Sequence, residues 1–379
     1  MRSSNALVVG GGLAGAAFAL ELSRNGHRVV VLESTRGAHH KVCGEFLSAE
    51  TQTLLAYLGL DLKSMGATQA AILRLAAGKI MVEAPLPFHG AGLSRYRLDE
   101  ALLNSAQAAG AEILRGSTVS RIEIGDGQVA AIAGTRTIVG TLAALATGKH
   151  GLRQFPRPAS NMVGFKLQIR VTPTALRLLD NIVQLVMLDG GYIGACIVED
   201  EVVTLCWVME RRIIQRMETS WPAQASKISR QSELLGDLFA GAKPVWEKPV
   251  AIAGIPYGYI RRQPISPNVF ALGDQLAVIP SYTGDGMAIA LYSGIAAAQA
   301  VLGGQNAVTF QNRVINQLRS QFRWASTINL LFEKHALQRP GIAIAARLPS
   351  LVTWIAQSTR LRRFDDVLTT GDKLRKLSA

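Results

Sequence analysis

Three glycines and one acid near the start of the chain form the arrangement best suited to chemistry. Gly10, Gly12 and Gly15 follow the apolar run Ala6-Leu7-Val8-Val9 and open a helix-like stretch over residues 16–25. A second apolar run, Val29-Val30-Val31-Leu32, ends in Glu33. This is Gly-x-Gly-x-x-Gly in a strand–turn–helix–strand setting, which predicts a cradle for a dinucleotide. Gly10 suits the tight turn, Gly12 lets a pyrophosphate approach the backbone, and Gly15 lets the helix pack closely on the sheet. With Ala14 they make up the cradle, where helix amides and dipole favour negative charge. Glu33 is placed to accept hydrogen bonds from ribose hydroxyls, and its charge would repel a 2′-phosphate. The expected nucleotide is therefore FAD or NAD rather than NADP. Arg2 followed by apolar residues 7–20 superficially suits a secretory leader, but three glycines within that run and Glu21 beyond it argue against one.

The elements that must position this cradle come from a chain of 379 residues, 49% hydrophobic and 18% charged, which suits two interleaved domains. No uninterrupted apolar run is long enough to predict a membrane-spanning helix. The three cysteines, Cys43, Cys196 and Cys206, have neither Cys-x-x-Cys nor metal spacing, so the expectation is a reducing cytoplasm and no metal. The net charge of +13 has three readings: a solvated basic surface, attraction to anionic lipid, or attraction to an acidic substrate or carrier protein. No zinc-finger spacing or RNA-recognition signature is present, so nucleic acid is not an expected partner.

Residues 72–86 read as a hairpin turned at Ala77-Gly78-Lys79, residues 97–109 as a helix stopped by Gly110, and 118–133 as a hairpin turned at Gly125-Asp126-Gly127. In the middle, Val163, Phe165, Leu167, Ile169 and Val171 alternate with Gly164, Lys166, Gln168 and Arg170, a period of two that predicts a half-exposed strand. Residues 192–198 and 202–208 flank Glu199-Asp200-Glu201 as a further hairpin. The style then reverts: Val269-Phe270-Ala271-Leu272 leads into Gly273-Asp274, then a glycine-rich loop, Pro280 to Gly286, and a helix over 287–302. From residue 306 the chain reads as helices broken near Pro340 and Pro349. An antiparallel-sheet domain thus interrupts an α/β domain.

The stretch Ala271-Leu272-Gly273-Asp274, followed by Thr283-Gly284-Asp285-Gly286-Met287, resembles the second flavin fingerprint of FAD-dependent aromatic hydroxylases and geranylgeranyl reductases. The resemblance runs over roughly residues 5–305 and is carried by motifs. It implies an FAD-binding domain formed by 1–63, 95–153 and 266–305, a sheet-based substrate domain formed by 64–94 and 154–265, and C-terminal helices over 306–379. The implied fold is α/β: a discontinuous Rossmann-like domain with an inserted antiparallel sheet. It gives Asp274, after Gly273, a ribityl or pyrophosphate contact, and sets Gly284, Asp285, Gly286 and Met287 beside the flavin, where a helix N-terminus favours negative charge. Arg97, in Arg97-Leu98-Asp99-Glu100, matches the family arginine that reaches FAD, although a plain surface arginine is the competing reading. Val119 matches the strand that meets adenine. The family often has Asp-Gly where this chain has Thr147-Gly148, so the resemblance, which implies NAD(P)H as external reductant, does not carry over its contact.

Lys41-Val42-Cys43-Gly44-Glu45 resembles the Cys-Gly segment of geranylgeranyl reductase-like proteins, which lies over the flavin. Cys43 reads as a proton donor, a redox thiol or a small packing residue. Glu45 reads as an acid–base group or as an acceptor for local amides, and Lys41 as a phosphate contact or a solvated cation. None of the five tryptophans lies in the Trp-x-Trp-x-Ile-Pro motif of flavin-dependent halogenases. The readings that remain are a monooxygenase acting on an electron-rich small molecule of secondary metabolism, a reductase or dehydrogenase acting on a carbon–carbon bond of a lipid or polyketide, and a non-enzymatic flavoprotein. Phe165, Tyr192, Cys206, Trp207 and Met209 are candidates for the substrate face. The C-terminal helices carry apolar residues and arginines at helical spacing, which suits either packing over the nucleotide domain or a peripheral membrane contact.

Overall fold

A computed structural model describes residues 6–125, 127–217, 220–333, 335–362 and 364–370. Asp126, in the turn expected at 125–127, and the charged tail beyond residue 370 lie outside them. The first apolar run forms a strand, Ala6–Val9, at the centre of a five-stranded parallel sheet. Val29–Glu33 and Glu112–Arg115 lie on one side, Leu142–Leu145 and Val269–Ala271 on the other. The central strand is buried along its whole length, as expected when both faces are covered.

The helix Leu13–Arg24 lies between the helices Arg95–Ala108 and Gly286–Leu302. Two glycines permit this spacing. A Cβ on Gly15 would stand 2.0 Å from the Gly10 carbonyl oxygen, and one on Gly294 would stand 2.4 Å from the Ala14 carbonyl oxygen. The N-terminal turn and the late helix are thus locked together, although 270 or more residues separate them in sequence.

The inserted region forms a nine-stranded mixed sheet. Its main path runs Lys243–Pro244, Met162–Arg170, Val202–Glu210, Gly191–Val198, Asn181–Leu188, Thr68–Ala77, Ile80–Gly92 and Phe46–Leu47, with Val250–Ala253 also paired to Met162–Arg170. All its pairings are antiparallel except Asn181–Leu188 with Thr68–Ala77.

Three expectations change here. The strand at Met162–Arg170 is not half-exposed: Lys166 is 0% exposed and Gln168 6%, because a loop over residues 40–45 covers the face that alternation assigned to water. Pro340 does not break the C-terminal helices; it sits inside His335–Arg347, and the chain breaks at Leu348 before Pro349–Ser358. Finally, Ala307–Glu333 packs on the nucleotide domain, as do Leu361, Phe364, Val367 and Leu368 nearer the end of the chain. The two later helices lie across Thr68–Ala77 and Ile80–Gly92 of the large sheet.

Candidate active site

One continuous cavity of about 1100 Å³ joins the two regions. A single small ligand takes roughly 300–1,000 Å³, so this space suits a large cofactor together with a second molecule. At one end lie Gly10, Gly12, Ala14, Glu33 and Val119. The middle passes Lys41, Cys43, Arg95, Asp274 and Gly284, Gly286 and Met287. The far end is apolar, with Leu75, Leu185, Met187 and Val208 of the sheet facing Ile342 and Val352 of the C-terminal helices.

The glycine cradle has the form expected. Gly10 has φ +104°, and a Cβ there would stand 2.5 Å from the Ala146 carbonyl oxygen. A Cβ on Gly12 would meet the Lys41 ammonium at 3.2 Å, so this glycine keeps open the space between the helix N-terminus and a cation. Glu33 accepts from the Gly11 N–H at 2.7 Å on one oxygen, and from the Thr35 N–H and hydroxyl, both at 2.9 Å, on the other. A carboxylate has about four lone-pair sites, so the Gly11 oxygen retains one for a ribose hydroxyl. Burial raises the Glu33 pKa, but the Thr35 and Gly11 N–H groups and the Lys41 charge outweigh it and hold the group ionised below the usual carboxylate value.

Lys41, Arg95 and Asp99 form a compact cluster over Gly12. Lys41 donates to Asp99 at 2.7 Å, and Arg95 donates to both Asp99 oxygens, one at 2.8 Å. Burial pushes the Asp99 pKa up, but Arg95 and Lys41 together bring it down to about 2. Two cations against one carboxylate leave a net positive charge at the mouth of a helix, which suits a pyrophosphate.

Arg97 does not join this cluster. It turns to Asp200 and Glu199 and donates to the Met65 carbonyl at 3.3 Å, outside the cavity. Ser94 caps the helix by accepting from the Arg97 N–H at 3.2 Å, so the helix begins at Arg95, two residues before the expected start. The arginine placed toward the cofactor region is therefore Arg95.

Asp274 follows the strand Val269–Ala271 and lines the cavity, with the Lys149 ammonium 3.8 Å from its carboxylate. Lys149 also donates to the Val42 carbonyl at 3.1 Å, so the segment that departs from the family pattern bridges the two halves of the site. Gly284 has φ +69°, and a Cβ there would press on Phe46 at 2.8 Å. Gly286 opens the helix Gly286–Leu302 with nothing within 4 Å of a Cβ position. Asp285 points the other way. Its buried carboxylate accepts from Ser48 at 3.0 Å, from the Leu361 N–H at 2.7 Å and from Gln321, with Arg360 at 3.4 Å. It ties the loop to the C-terminal region and does not line the cavity.

Glu45 borders the cavity but is held in place. It is 0% exposed, and its carboxylate accepts from the Arg95 N–H at 2.7 Å, Gln168 at 2.9 Å, Thr204 and the Lys166 ammonium. It adopts φ +57°, a conformation costing roughly 1–2 kcal/mol outside glycine. These four donors hold the turn and anchor residues 41–45 to the sheet. Lys166 also lies 3.3 Å from His40 Nδ1, and His40 stacks between Trp246 at 4.1 Å and Tyr96 at 5.0 Å. Lys166, His40 and Trp246 were missed in sequence; the unusual lysine in an apolar strand was the available signal.

Cys43 borders the cavity and accepts from the Glu45 N–H at 3.4 Å. Cys196 donates to the Gly44 carbonyl at 3.2 Å. Burial raises the thiol pKa of Cys196 and that of Cys206, the latter to about 12. Of the expected substrate face, Tyr192 and Cys206 line the cavity, whereas Phe165, Trp207 and Met209 occupy the opposite face in a separate core. Tyr192 and Tyr257 both hydrogen-bond Ser281, the latter at 2.7 Å, and burial raises the pKa of both phenols. They form a neutral polar corner in the apolar compartment.

Comparison with known proteins agrees with this geometry. Residues 3–141 match the FAD binding domain family. The chain superposes on the halogenase PltM in complex with phloroglucinol and FAD, at 16% identity and a TM-score of 0.75, over 100% of this chain and 91% of that one. It is similar to the flavin-dependent brominase Bmp2, at 14% identity and a TM-score of 0.75, over 99% and 98% of the two chains. A flavoprotein/dehydrogenase from Cytophaga hutchinsonii matches at 15% identity and a TM-score of 0.71, over 99% and 100%. No curated protein matches in sequence. The chain is an FAD-dependent oxidoreductase. At these identities the structural likeness defines the fold, not the reaction.

Proposed function

We propose that the protein is an FAD-dependent monooxygenase that hydroxylates an apolar, electron-rich small molecule carrying one oxygen function. The observation that carries this reading is the cavity itself: a nucleotide cradle continuous with an apolar compartment. The glycine cradle, the Lys41–Arg95–Asp99 cluster and Asp274 would hold FAD. Bound and reduced by NAD(P)H, FAD would supply the electrons for activating oxygen. The apolar walls exclude water from the reacting face. The hydroxyl corner of Tyr192, Tyr257 and Ser281 would orient the substrate's phenolic or carbonyl oxygen, with its carbon skeleton against Leu185 and Met187.

A reductase would use an acid placed beside its substrate. The one carboxylate expected there, Glu45, is committed to four donors, and the neighbouring phenols and buried thiols are weak acids. This favours oxygen insertion over hydride transfer.

The test combines purified protein, FAD, NADH or NADPH, and a panel of phenols and enols. The expected result is oxygen uptake matched to nicotinamide oxidation and products heavier by one oxygen atom. Anaerobic turnover with a gain of two hydrogens would transfer the assignment to a reductase. Products carrying chlorine or bromine in the presence of halide would transfer it to a halogenase.

A further inference from the structure

The outer face of the C-terminal helices combines two features that the flavin chemistry does not use. Nearly half of the bulky apolar side chains exposed among the described residues lie here: Trp324, Leu337, Ile344, Leu348 and Trp354. Trp324 and Trp354 meet edge to face at 5.0 Å, yet remain 42% and 46% exposed. The surrounding sequence is strongly basic. Residues 307–357 contain five arginines and one lysine against a single acid, Glu333. Cationic side chains interspersed with exposed tryptophan and leucine are the composition of a surface that rests at a bilayer interface.

The cavity reaches this same face. Leu337 and Ile344 line it while being 39% and 54% exposed, so they form its rim. Ile342 and Ala345, on the inner side of the same helix, line its wall. Among the described residues no helix is long and apolar enough to cross a membrane, so any lipid contact by these helices is peripheral.

We propose that this face docks on an anionic lipid bilayer and that the cavity takes its substrate from the lipid through the rim at Leu337 and Ile344. The net charge of +13 supplies the long-range attraction, and Trp354, Trp324 and Leu348 supply the short-range burial. The delivery route rests on the apolar-substrate reading above; the docking does not.

The experiment is flotation of the FAD-loaded protein with vesicles of phosphatidylcholine alone and of phosphatidylcholine mixed with phosphatidylglycerol, at low and high salt. Flavin absorbance reports cofactor occupancy in each fraction. The expected result is flotation with the anionic vesicles, weakened by salt. Arg347→Gln is expected to lower the partition constant about fivefold, the equivalent of ~1 kcal/mol per cation at an anionic surface. Paired Leu348→Ser and Trp354→Ser substitutions, neither in the cavity lining, are expected to remove most of the salt-resistant binding and leave flavin content unchanged. Absence of flotation at low salt overturns the proposal, whether or not an acidic carrier protein then binds this face. Flotation of the paired variant equal to that of the parent overturns it as well. Because the readout is partitioning, failure here is separable from failure of the monooxygenase assignment.

Discussion

Glu45 and Lys166 meet with neither side chain exposed to solvent, and they join the loop beside the cofactor region to a strand of the inserted sheet. Removing one partner of a buried pair typically costs about 3–5 kcal/mol, because the other charge is left uncompensated. Lys166→Met is therefore expected to lower stability by that order and to weaken FAD retention. Combining it with Glu45→Gln should recover part of the loss. Urea unfolding followed by flavin and tryptophan fluorescence measures both. A catalytic Glu45 would instead give a folded, FAD-replete Glu45→Gln variant of unchanged stability that fails only in turnover.

Arg95 and Arg97 offer a matched pair. Loss of a charge-assisted hydrogen bond to phosphate is worth about 1.5–3 kcal/mol, or roughly a 10- to 100-fold change in Kd. Arg95→Ala should show a loss of that size when the apoprotein is titrated with FAD. Arg97→Ala should bind FAD like the parent, since its partners are Glu199 and Asp200. Equal losses in the two variants would contradict the placement of the cofactor phosphates.

The cradle glycines should separate binding from folding. Gly12→Ala brings a methyl against the movable Lys41 ammonium at 3.2 Å, so its main effect is weaker FAD binding with a small change in Tm. Gly15→Ala drives a methyl to 2.0 Å from a backbone oxygen, and the helix must shift. The expected outcome is a large drop in Tm or a failure to accumulate folded protein. Thermal denaturation of the two apoproteins side by side tests this.

His40 gives the acid limb of stability a defined origin. Burial, then the nearby Lys166 charge, then His39 lower its pKa from 6.5 to about 4. Between those values the unfolded chain holds more protons than the folded one, so stability rises with pH across that window. On acidification, stability is lost from about pH 6.5 downward, and this contribution levels off below about pH 4. His40→Phe keeps the stack with Trp246 and should flatten that part of a Tm-versus-pH profile. An unchanged slope would mean that the imidazole titrates alike in the folded and unfolded chains.

Local patterns carried the glycine turn and the loop before the late helix into view. Gly10 to Glu33 and Gly273 to Met287 are each contiguous, and in both the backbone turn and the ligand-facing residues are written within a few positions. Arg97 shows where such reading slips. A helix advances about 100° per residue, so a start displaced by two residues turns the chosen side chain to the opposite face, where Asp200 waits. Lys166 and Gln168 show a deeper limit. Alternation identifies which residues share a face, but not that a loop from residues 40–45, more than 120 positions earlier, covers it. Asp285 was misplaced for a related reason: its partners are Gln321 of Ala307–Glu333 and Arg360 and Leu361 just past Pro349–Ser358, segments whose docking has no local signature. The same holds for the C-terminal helices, whose contact with the large sheet closes the apolar compartment.

The locking of Gly294 against Ala14 also sets an order of events during synthesis. The N-terminal strand, turn and helix leave the ribosome first, yet two of their neighbours, the edge strand Val269–Ala271 and the helix Gly286–Leu302, emerge only after the inserted sheet. Until then, Leu13–Arg24 carries an apolar surface with no late helix to cover it, and a flavin would find only the adenosine half of its berth. The nascent chain is therefore expected to expose that surface over much of its translation and to complete the cofactor cradle only near the end of it. Cells short of riboflavin should accumulate full-length but aggregation-prone protein rather than truncated fragments.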